Sequence, residues 1–167
     1  SLLITSNGYL TFGAEGEEFS NTSIPNTNEP NDLIAPFWDD FKPIGDQGEY
    51  DWGSVYYYVD SANETLVVQY EDVAHYSYTT PVYWETFEVI LYSTGEILYQ
   101  YESITYASYC TVGIENSDAS DGLPIVYNQS YLASGLAIKI APPVEGVPWL
   151  SVTPESGALS VGQQQTI

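Results

Sequence analysis

The segment most informative about the fold reads Asn31-Asp32-Leu33-Ile34-Ala35-Pro36-Phe37-Trp38-Asp39-Asp40-Phe41. It is an apolar run that ends abruptly in two adjacent carboxylates. Pro36 lies inside the run and has no backbone N–H to donate, so the segment is neither a helix interior nor an ordinary central strand. We predict an edge or bulged strand that carries Phe37 and Trp38 into a core and leaves Asp39 and Asp40 at its mouth.

Apolar and polar residues alternate along much of the remaining chain, as they do in β-strands. Asn7-Gly8 is a strong hairpin-turn signal near the start. The pattern then predicts strands over residues 54–59, 65–70, 83–92 (the longest), 96–103, 109–114 and 136–140. Short alternating strands at roughly 8–12-residue spacing predict an all-β fold, an antiparallel β-sandwich or jelly roll.

The alternation also assigns side chains to the two faces of the predicted sheets, because successive residues of a strand point to opposite faces. In strand 54–59, Tyr56 and Tyr58 are expected on one face. The other face is expected to carry Val55, Tyr57 and Val59. In strand 83–92, one side is expected to carry Phe87, Val89 and Leu91.

A domain boundary is predicted after residue 141. Three prolines and one glycine in residues 142–148 indicate a stiff linker. Residues 149–167 then suggest two further strands, which are too few to fold alone. These strands either begin another domain or add to a neighbouring subunit. Their assembly residues would be Trp149, Leu150, Val152, Leu159 and Val161.

The net charge is strongly negative. The chain has 2 Lys plus Arg against 23 Asp plus Glu, for a formal charge of −21. Nucleic acid is excluded as a partner class, because its binding requires Lys and Arg to neutralise phosphates. Membrane insertion is not expected, since no apolar run reaches roughly 18 residues. The charge is compatible with cations, with neutral glycans, or with an acidic surface that keeps the protein soluble.

Residues suited to covalent catalysis are sparse. Nucleophilic catalysis needs a nucleophile, a base and an orienting group. The chain has one His, His75, one Cys, Cys110, and no Gly-x-Ser-x-Gly motif. Zinc sites need clusters of the same residues, and a glycosidase needs two carboxylates at a defined separation, which this pattern does not define. We predict a protein that is not an enzyme and has no catalytic residues.

Calcium is the one cofactor that the composition leaves open, although none is required. It binds carboxylate, amide and backbone oxygens. The candidate ligands bracket a single loop and are Asp39, Asp40, Asp46 and Asp51. The alternative is that these carboxylates are solvated or accept hydrogen bonds from turn N–H groups.

Aromatic residues are abundant, with 16 Tyr and 4 Trp, and they combine a flat apolar face with a polar tip. Some are candidates for stacking on a glycan, and the alternative for each is packing in the core or on a sheet face. These candidates are Trp38, Trp52, Tyr83 and Trp84. Three sequons in predicted loops or turns also provide glycosylation acceptors. The acceptors are Asn21, Asn63 and Asn128.

Several short blocks occur in a recognisable order. They are Ser-Asn-Gly-Tyr-Leu-Thr-Phe-Gly at 6–13, Leu-Ile-Ala-Pro-Phe-Trp-Asp-Asp at 33–40, Val-Tyr-Tyr at 55–57 and Thr-Phe-Glu-Val-Ile-Leu-Tyr at 86–92. Residues 1–140 thereby resemble the nidogen-type extracellular domain. Thr-Val-Gly-Ile-Glu-Asn at 111–116 and Asp-Gly-Leu at 121–123 resemble its bacterial surface-protein version. Residues 149–162 resemble the start of a bacterial Ig-like domain, in which a Trp-Leu-x-Val strand precedes a Pro-x-x-Gly turn.

The resemblance implies an extracellular or cell-surface location and a non-catalytic role. The expected function is a structural or adhesive module of a surface protein or filament, which assembles by strand addition. Its partners would be other copies of itself or neighbouring domains of the parent chain. The alternative function is a calcium-assisted glycan-binding module of a secreted multi-domain enzyme.

Overall fold

Two five-stranded antiparallel sheets form a β-sandwich in the computed structural model, which describes residues 1–13, 17–43, 52–76 and 83–143. The strands are β1 (Leu3–Ile4), β2 (Leu10–Thr11), β3 (Leu33–Trp38), β4 (Ser54–Asp60), β5 (Thr65–Ala74), β6 (Trp84–Tyr92), β7 (Ile97–Ser103), β8 (Thr111–Glu115), β9 (Gly122–Tyr127) and β10 (Ala137–Ile140). The first sheet has the order β1-β2-β3-β8-β9, and the second has the order β10-β7-β6-β5-β4. The predicted all-β sandwich is confirmed. No helix in the described segments is long and apolar enough to cross a membrane.

Most predicted strands are present, with two differences. β5, at 10 residues, is the longest strand, because it continues past Tyr70 through a register shift to Ala74. β9 was not predicted from the sequence, since Gly122 and Pro124 disguise it. Its position at the edge of the first sheet explains how it accommodates a proline.

β3 is a bulged strand, as predicted, but it is not an edge strand. It lies between β2 and β8, and its pairing with β8 shifts register between Ala35 and Trp38. Pro36 therefore lies in the irregular part of the ladder, where its missing N–H interrupts no regular pairing. Phe37 and Trp38 are both fully buried, which confirms their predicted place in the core.

Both faces of β3 are covered. Ile34 and Phe37 belong to the main core between the sheets. Leu33, Ala35 and Trp38 form a second cluster with Ile24, which lies in the connection between β2 and β3. That connection is held in place because the indole N–H of Trp38 donates to the Glu18 carbonyl at 3.1 Å.

On the inner face of the second sheet, residues paired across neighbouring strands form three rows perpendicular to the strands. We call them transverse rows. They run Tyr101–Phe87–Tyr70–Val55, then Ile138–Tyr99–Val89–Val68–Tyr57, then Ile140–Ile97–Leu91–Leu66–Val59. The central residues of the first two rows are buried. The rows place Val55, Tyr57 and Val59 on the inner face, which confirms the predicted faces of this strand.

Three tyrosine hydroxyls of these rows form hydrogen bonds across the interface between the sheets. Tyr70 donates to the Thr5 carbonyl at 2.8 Å, Tyr99 to the Gly113 carbonyl at 3.0 Å, and Tyr101 to the Pro36 carbonyl at 2.6 Å. Burial raises the pKa of each phenol above its usual value, so each remains a donor. We call these three side chains the cross-sheet tyrosines.

Candidate functional site

The chain's one histidine lies where β3, β5 and β6 come together at one end of the sandwich. Phe41 and His75 form an isolated antiparallel bridge. Beside it, the Lys42 N–H donates to the Ala74 carbonyl at 2.9 Å and the Tyr76 N–H to the Asp40 carbonyl at 2.7 Å. These backbone bonds bring the carboxylates that follow β3 next to the imidazole at the end of β5.

His75 is held between two carboxylates. Its Nδ1 lies 3.3 Å from Asp39 Oδ2, and its Nε2 lies 3.0 Å from Glu85 Oε1. Phe41 and Phe37 pack against the ring, with centroids 4.7 and 6.0 Å from it. We call Asp39, His75 and Glu85 the histidine clip, because together they tie the ends of three strands.

Glu85 is fully buried, yet its carboxylate is well supplied with donors. Besides His75, it accepts the Thr105 N–H at 2.7 Å, the Thr105 hydroxyl at 2.8 Å and the Tyr106 N–H at 2.9 Å. It therefore also fixes the start of the β7–β8 connection. Sequence reasoning missed Glu85, although extending the Phe87, Val89 and Leu91 alternation by two residues reaches it.

The electrostatics of the clip favour a charged imidazole. Burial by itself lowers the pKa of His75, but the hydrogen bonds and charges of Asp39 and Glu85 outweigh it and raise the pKa from 6.5 to about 9. Burial, together with the neighbouring Asp39, raises the pKa of Asp40. Since both nitrogens of an imidazolium are donors, His75 has no free lone pair for a base or a metal ligand.

A group of tyrosines covers the clip on its solvent side. Tyr83 stacks on Tyr106 with centroids 4.6 Å apart, and both rings stand edge-on to His75. Tyr109 continues the group at 6.1 Å from Tyr106 and is exposed. We call Tyr83, Tyr106 and Tyr109 the tyrosine strip. Sequence reasoning selected only Tyr83. Tyr106 lies in a connection without strand periodicity, and Tyr109 was assigned to the start of strand 109–114, whereas β8 begins at Thr111.

The four glycan-stacking candidates fall into two groups. Tyr83 and Trp84 have exposed rings near the histidine clip. Trp38 is fully buried and packs on Tyr9 at 5.0 Å, and Trp52 is buried with the Lys42 ammonium 5.0 Å from its ring centre. Neither Trp38 nor Trp52 has a ring face open to a glycan, and core packing, the alternative to glycan stacking, accounts for both.

The four calcium candidates also fall into two groups, because the structure describes Asp39 and Asp40 but not the other two. Asp39 already accepts from His75 and, through Oδ1, from the Asp40 N–H at 2.8 Å. Asp46 and Asp51 lie outside the described residues. Within residues 1–13, 17–43, 52–76 and 83–143, no three His, Cys, Asp or Glu side chains are grouped so that they could hold a metal. The calcium site therefore stays a prediction.

The sequon asparagines lie in connections between strands, and their side-chain amides are engaged. Asn21 donates to Asn128 Oδ1 at 2.9 Å and to Thr111 Oγ1 at 3.0 Å. Asn63 donates to Asp60 Oδ2 at 2.7 Å. Attachment of a glycan at Asn21 would replace bonds that join the β2–β3 connection to the first sheet, whereas Asn63 and Asn128 are exposed. Their glycosylation stays a prediction.

The predicted assembly strands lie outside the described residues. The ten described strands lie within residues 3–140, and the last of them, β10, ends at Ile140. The assembly prediction therefore concerns residues beyond the described sandwich. The residues in question are Trp149, Leu150, Val152, Leu159 and Val161.

Comparison with known proteins identifies one family. The family model described as "NIDO related" matches residues 1–141, most of the 167-residue chain. No curated protein and no solved structure matches the chain.

Proposed function

Since the chain belongs to the NIDO-related family, whose domain is an extracellular-type module, we propose that it has a non-catalytic structural or adhesive role in a surface protein or filament. The protein is located outside the cell, in the manner of the bacterial surface-protein version of this domain. Residues 149–167 supply Ig-like strands that pair with a neighbouring copy. Its partners are other copies of itself or neighbouring domains of its parent chain.

The observation that carries this proposal is a run of exposed aromatic residues on a strand at the sheet edge. Tyr56, Tyr57 and Tyr58 of β4 are all exposed, and β4 is the last of the described strands in the second sheet. Open strand edges and contiguous exposed apolar surface are the features through which β-proteins associate. Tyr is also enriched in the contact surfaces of proteins.

The two side chains best suited to nucleophilic chemistry, His75 and Cys110, are both held within the fold. This supports the non-catalytic part of the proposal. Both ring nitrogens of His75 face carboxylates in the histidine clip. Cys110 is fully buried, and burial raises the pKa of its thiol to about 12. A buried, protonated thiol is a poor nucleophile.

The test compares the full chain with a chain that ends at Pro143, three residues after the end of β10. Light scattering and negative-stain microscopy are expected to show oligomers or filaments for the full chain and monomers for the shortened one. Circular dichroism and thermal unfolding of both chains control for folding. Monomers of both chains at the highest concentration reached would contradict assembly through residues 149–167.

A second candidate function is favoured by the tyrosine strip. Tyr83 and Tyr109 of this strip are exposed, and Tyr83 stands edge-on to His75, whose Nδ1 contacts the Asp39 carboxylate. Rings of this kind stack on sugars while carboxylates accept from hydroxyls, so the alternative proposal is calcium-assisted glycan binding by a module of a secreted enzyme.

A glycan array, probed with and without a calcium chelator, tests this alternative. Tyr109→Ala should abolish binding, whereas Tyr58→Ala should not. Tyr58 pairs with Val67, eight residues along β5 from His75 and therefore about 26 Å away. Equal binding by both variants, or no binding at all, would contradict the glycan function.

A further inference from the structure

β4 projects beyond the sheet that should cover it. Val68, Val89 and Tyr99 of the middle transverse row are fully buried, whereas Tyr57 at the end of the same row is 70% exposed. Val59 ends the next row and is 60% exposed. Both residues lie on the face turned toward the interior, so the first sheet does not extend beneath β4.

An open hollow of about 480 Å³ adjoins this overhang. Its apolar lining includes Val59, Leu66 and Leu91, three residues of one inner row. Polar residues of the adjacent turns surround it, among them Asp60 and Glu64. An apolar side chain from an added strand could therefore be buried here without meeting a charge in the inner row.

The overhanging part of β4 and the start of the C-terminal segment both have no charged side chains. Residues 54–59 contain no charged side chain, and neither do residues 146–154. The remaining acidic residues make most contacts between two copies of a −21 chain repulsive. Contact between these two uncharged segments avoids that cost.

The chain leaves the sheet at a position that favours a neighbouring copy. Ile140 and Val59 end the same transverse row on opposite edges of the second sheet. A strand added outside β4 lies five strand spacings from Ile140, about 24 Å, and crossing the sheet's side chains adds about 10 Å. The nine residues from Ile140 to Trp149 reach at most about 32 Å, so capping of the chain's own β4 would require a nearly extended linker, whereas a neighbouring copy imposes no such requirement.

We propose that β4 is the acceptor edge for residues 149–153 of a neighbouring copy. The segment adds as a strand beside β4, with Leu150 and Val152 on the inner face over Tyr57, Val59 and the hollow. Each copy gives a strand from the β10 side and receives one at β4, so the contact is head-to-tail and links successive copies into a filament or a ring. The inference rests on the proposed assembly function and identifies its receiving surface.

Disulfide trapping in the full chain tests the proposal. One variant carries Val152→Cys, a second carries Tyr57→Cys, and a third carries Tyr127→Cys as the matched control on the exposed edge strand β9. Cys110 is retained because it is fully buried. After oxidation of equimolar mixtures, a linked dimer is expected for Val152→Cys with Tyr57→Cys, at least about tenfold above the mixture with Tyr127→Cys. Mass spectrometry identifies the linked peptides.

The remaining outcomes separate this inference from the proposed function. If the full chain assembles but Tyr57→Cys links no better than Tyr127→Cys, assembly stands and β4 is not the acceptor. A link formed within single chains that carry both Val152→Cys and Tyr57→Cys would also overturn the proposal, because the segment would then cover its own edge. If the full chain is monomeric and no link forms, both proposals fail.

A second variant checks the same surface without cysteine chemistry. Tyr57→Glu places a charge on the inner face of β4 and should eliminate the assembled species in light scattering. Tyr127→Glu should leave it unchanged. Assembly that survives Tyr57→Glu in a folded chain would contradict β4 as the acceptor.

Discussion

β3 and β4 carry similar residues in opposite surroundings. Each contains consecutive aromatic residues, Phe37-Trp38 in β3 and Tyr56-Tyr57-Tyr58 in β4. Every residue of β3 is buried, whereas the middle of β4 is exposed on both faces. Position in the sheet order accounts for the difference, because β3 has strands on both sides and β4 has only β5 among the described strands.

The two strands also differ in what covers their outer faces. The β2–β3 connection packs Ile24 onto the outer side of β3 and is bonded to Tyr9, whose hydroxyl accepts the Glu18 N–H at 3.1 Å. Within the described ranges, Tyr56 and Tyr58 on the outer face of β4 remain exposed. The comparison teaches that β3 is committed to the fold of one chain, whereas β4 keeps exposed aromatic side chains on both of its faces.

The largest difference in the free energy of unfolding is expected when one aromatic residue is removed from each strand. Trp38→Ala should lower the free energy of unfolding by about 4 kcal/mol, because it empties a fully buried site. Tyr57→Ala should change it by no more than about 0.5 kcal/mol, as expected of an exposed residue. Urea unfolding of both variants in the chain ending at Pro143 measures the difference free of assembly. Comparable losses would break the contrast.

The histidine clip holds the end of β3, and its removal should have the next largest effect. Glu85→Ala leaves His75, Thr105 and the Tyr106 N–H without their buried acceptor, which should cost about 3 kcal/mol. Glu102→Ala, at an exposed carboxylate of β7, is the matched control. Chemical denaturation measures both variants. A loss below about 1 kcal/mol for Glu85→Ala would mean that the clip does not stabilise this end of the sandwich.

The same clip predicts a loss of stability at alkaline pH. The folded pKa of His75, about 9, lies above the unfolded value of 6.5, so the protonated imidazole stabilises the folded state. This contribution is complete below about pH 6.5 and is lost as the pH rises through 9, a change on the order of 3 kcal/mol. The measurement is the free energy of unfolding between pH 6 and 10. His75→Gln should remove most of this slope, and parallel slopes for both chains would refute the assignment.

The smallest effect is expected at the bond between β3 and the second sheet. Tyr101→Phe removes the hydroxyl that donates to the Pro36 carbonyl, at a cost of about 1 kcal/mol. Tyr58→Phe removes an exposed hydroxyl from β4 and should change nothing measurable. Thermal unfolding of the two variants compares one hydroxyl in each strand. Equal melting temperatures would show that the cross-sheet bond is no stronger than the water bonds that replace it.

Local patterns in the sequence predicted most of the fold but not the environments of particular residues. The alternation of β4 correctly placed Tyr57 on the inner face. Its exposure depends on which strands lie opposite, and strand order results from long-range pairing that a local period does not encode. β9 was missed because the turn signals of Gly122 and Pro124 outweighed its alternation.

The candidate site was only partly predictable for the same reason. Asp39 was singled out because it follows an apolar run, and Tyr83 because its aromatic ring could stack on a glycan. Glu85 was overlooked, since a carboxylate on an inner face is costly unless donors reach it. Those donors come from Thr105 and Tyr106, which are about 20 residues away in the chain. The register shift of β5, between Tyr70 and Val73, likewise has no local signature, whereas Pro36 predicted the shift in β3.

The cross-sheet tyrosines have a mechanical consequence. The chain enters the domain in the first sheet, at β1, and leaves it from the second, at β10. Tension between the two ends is therefore transmitted through the interface between the sheets, as a force that slides one sheet over the other. Apolar packing is non-directional and resists such sliding weakly. The hydroxyls of Tyr70, Tyr99 and Tyr101 each donate a directional hydrogen bond to one carbonyl of the opposite layer. Sliding the sheets would break these bonds, so they oppose shear between the sheets when the module is under tension.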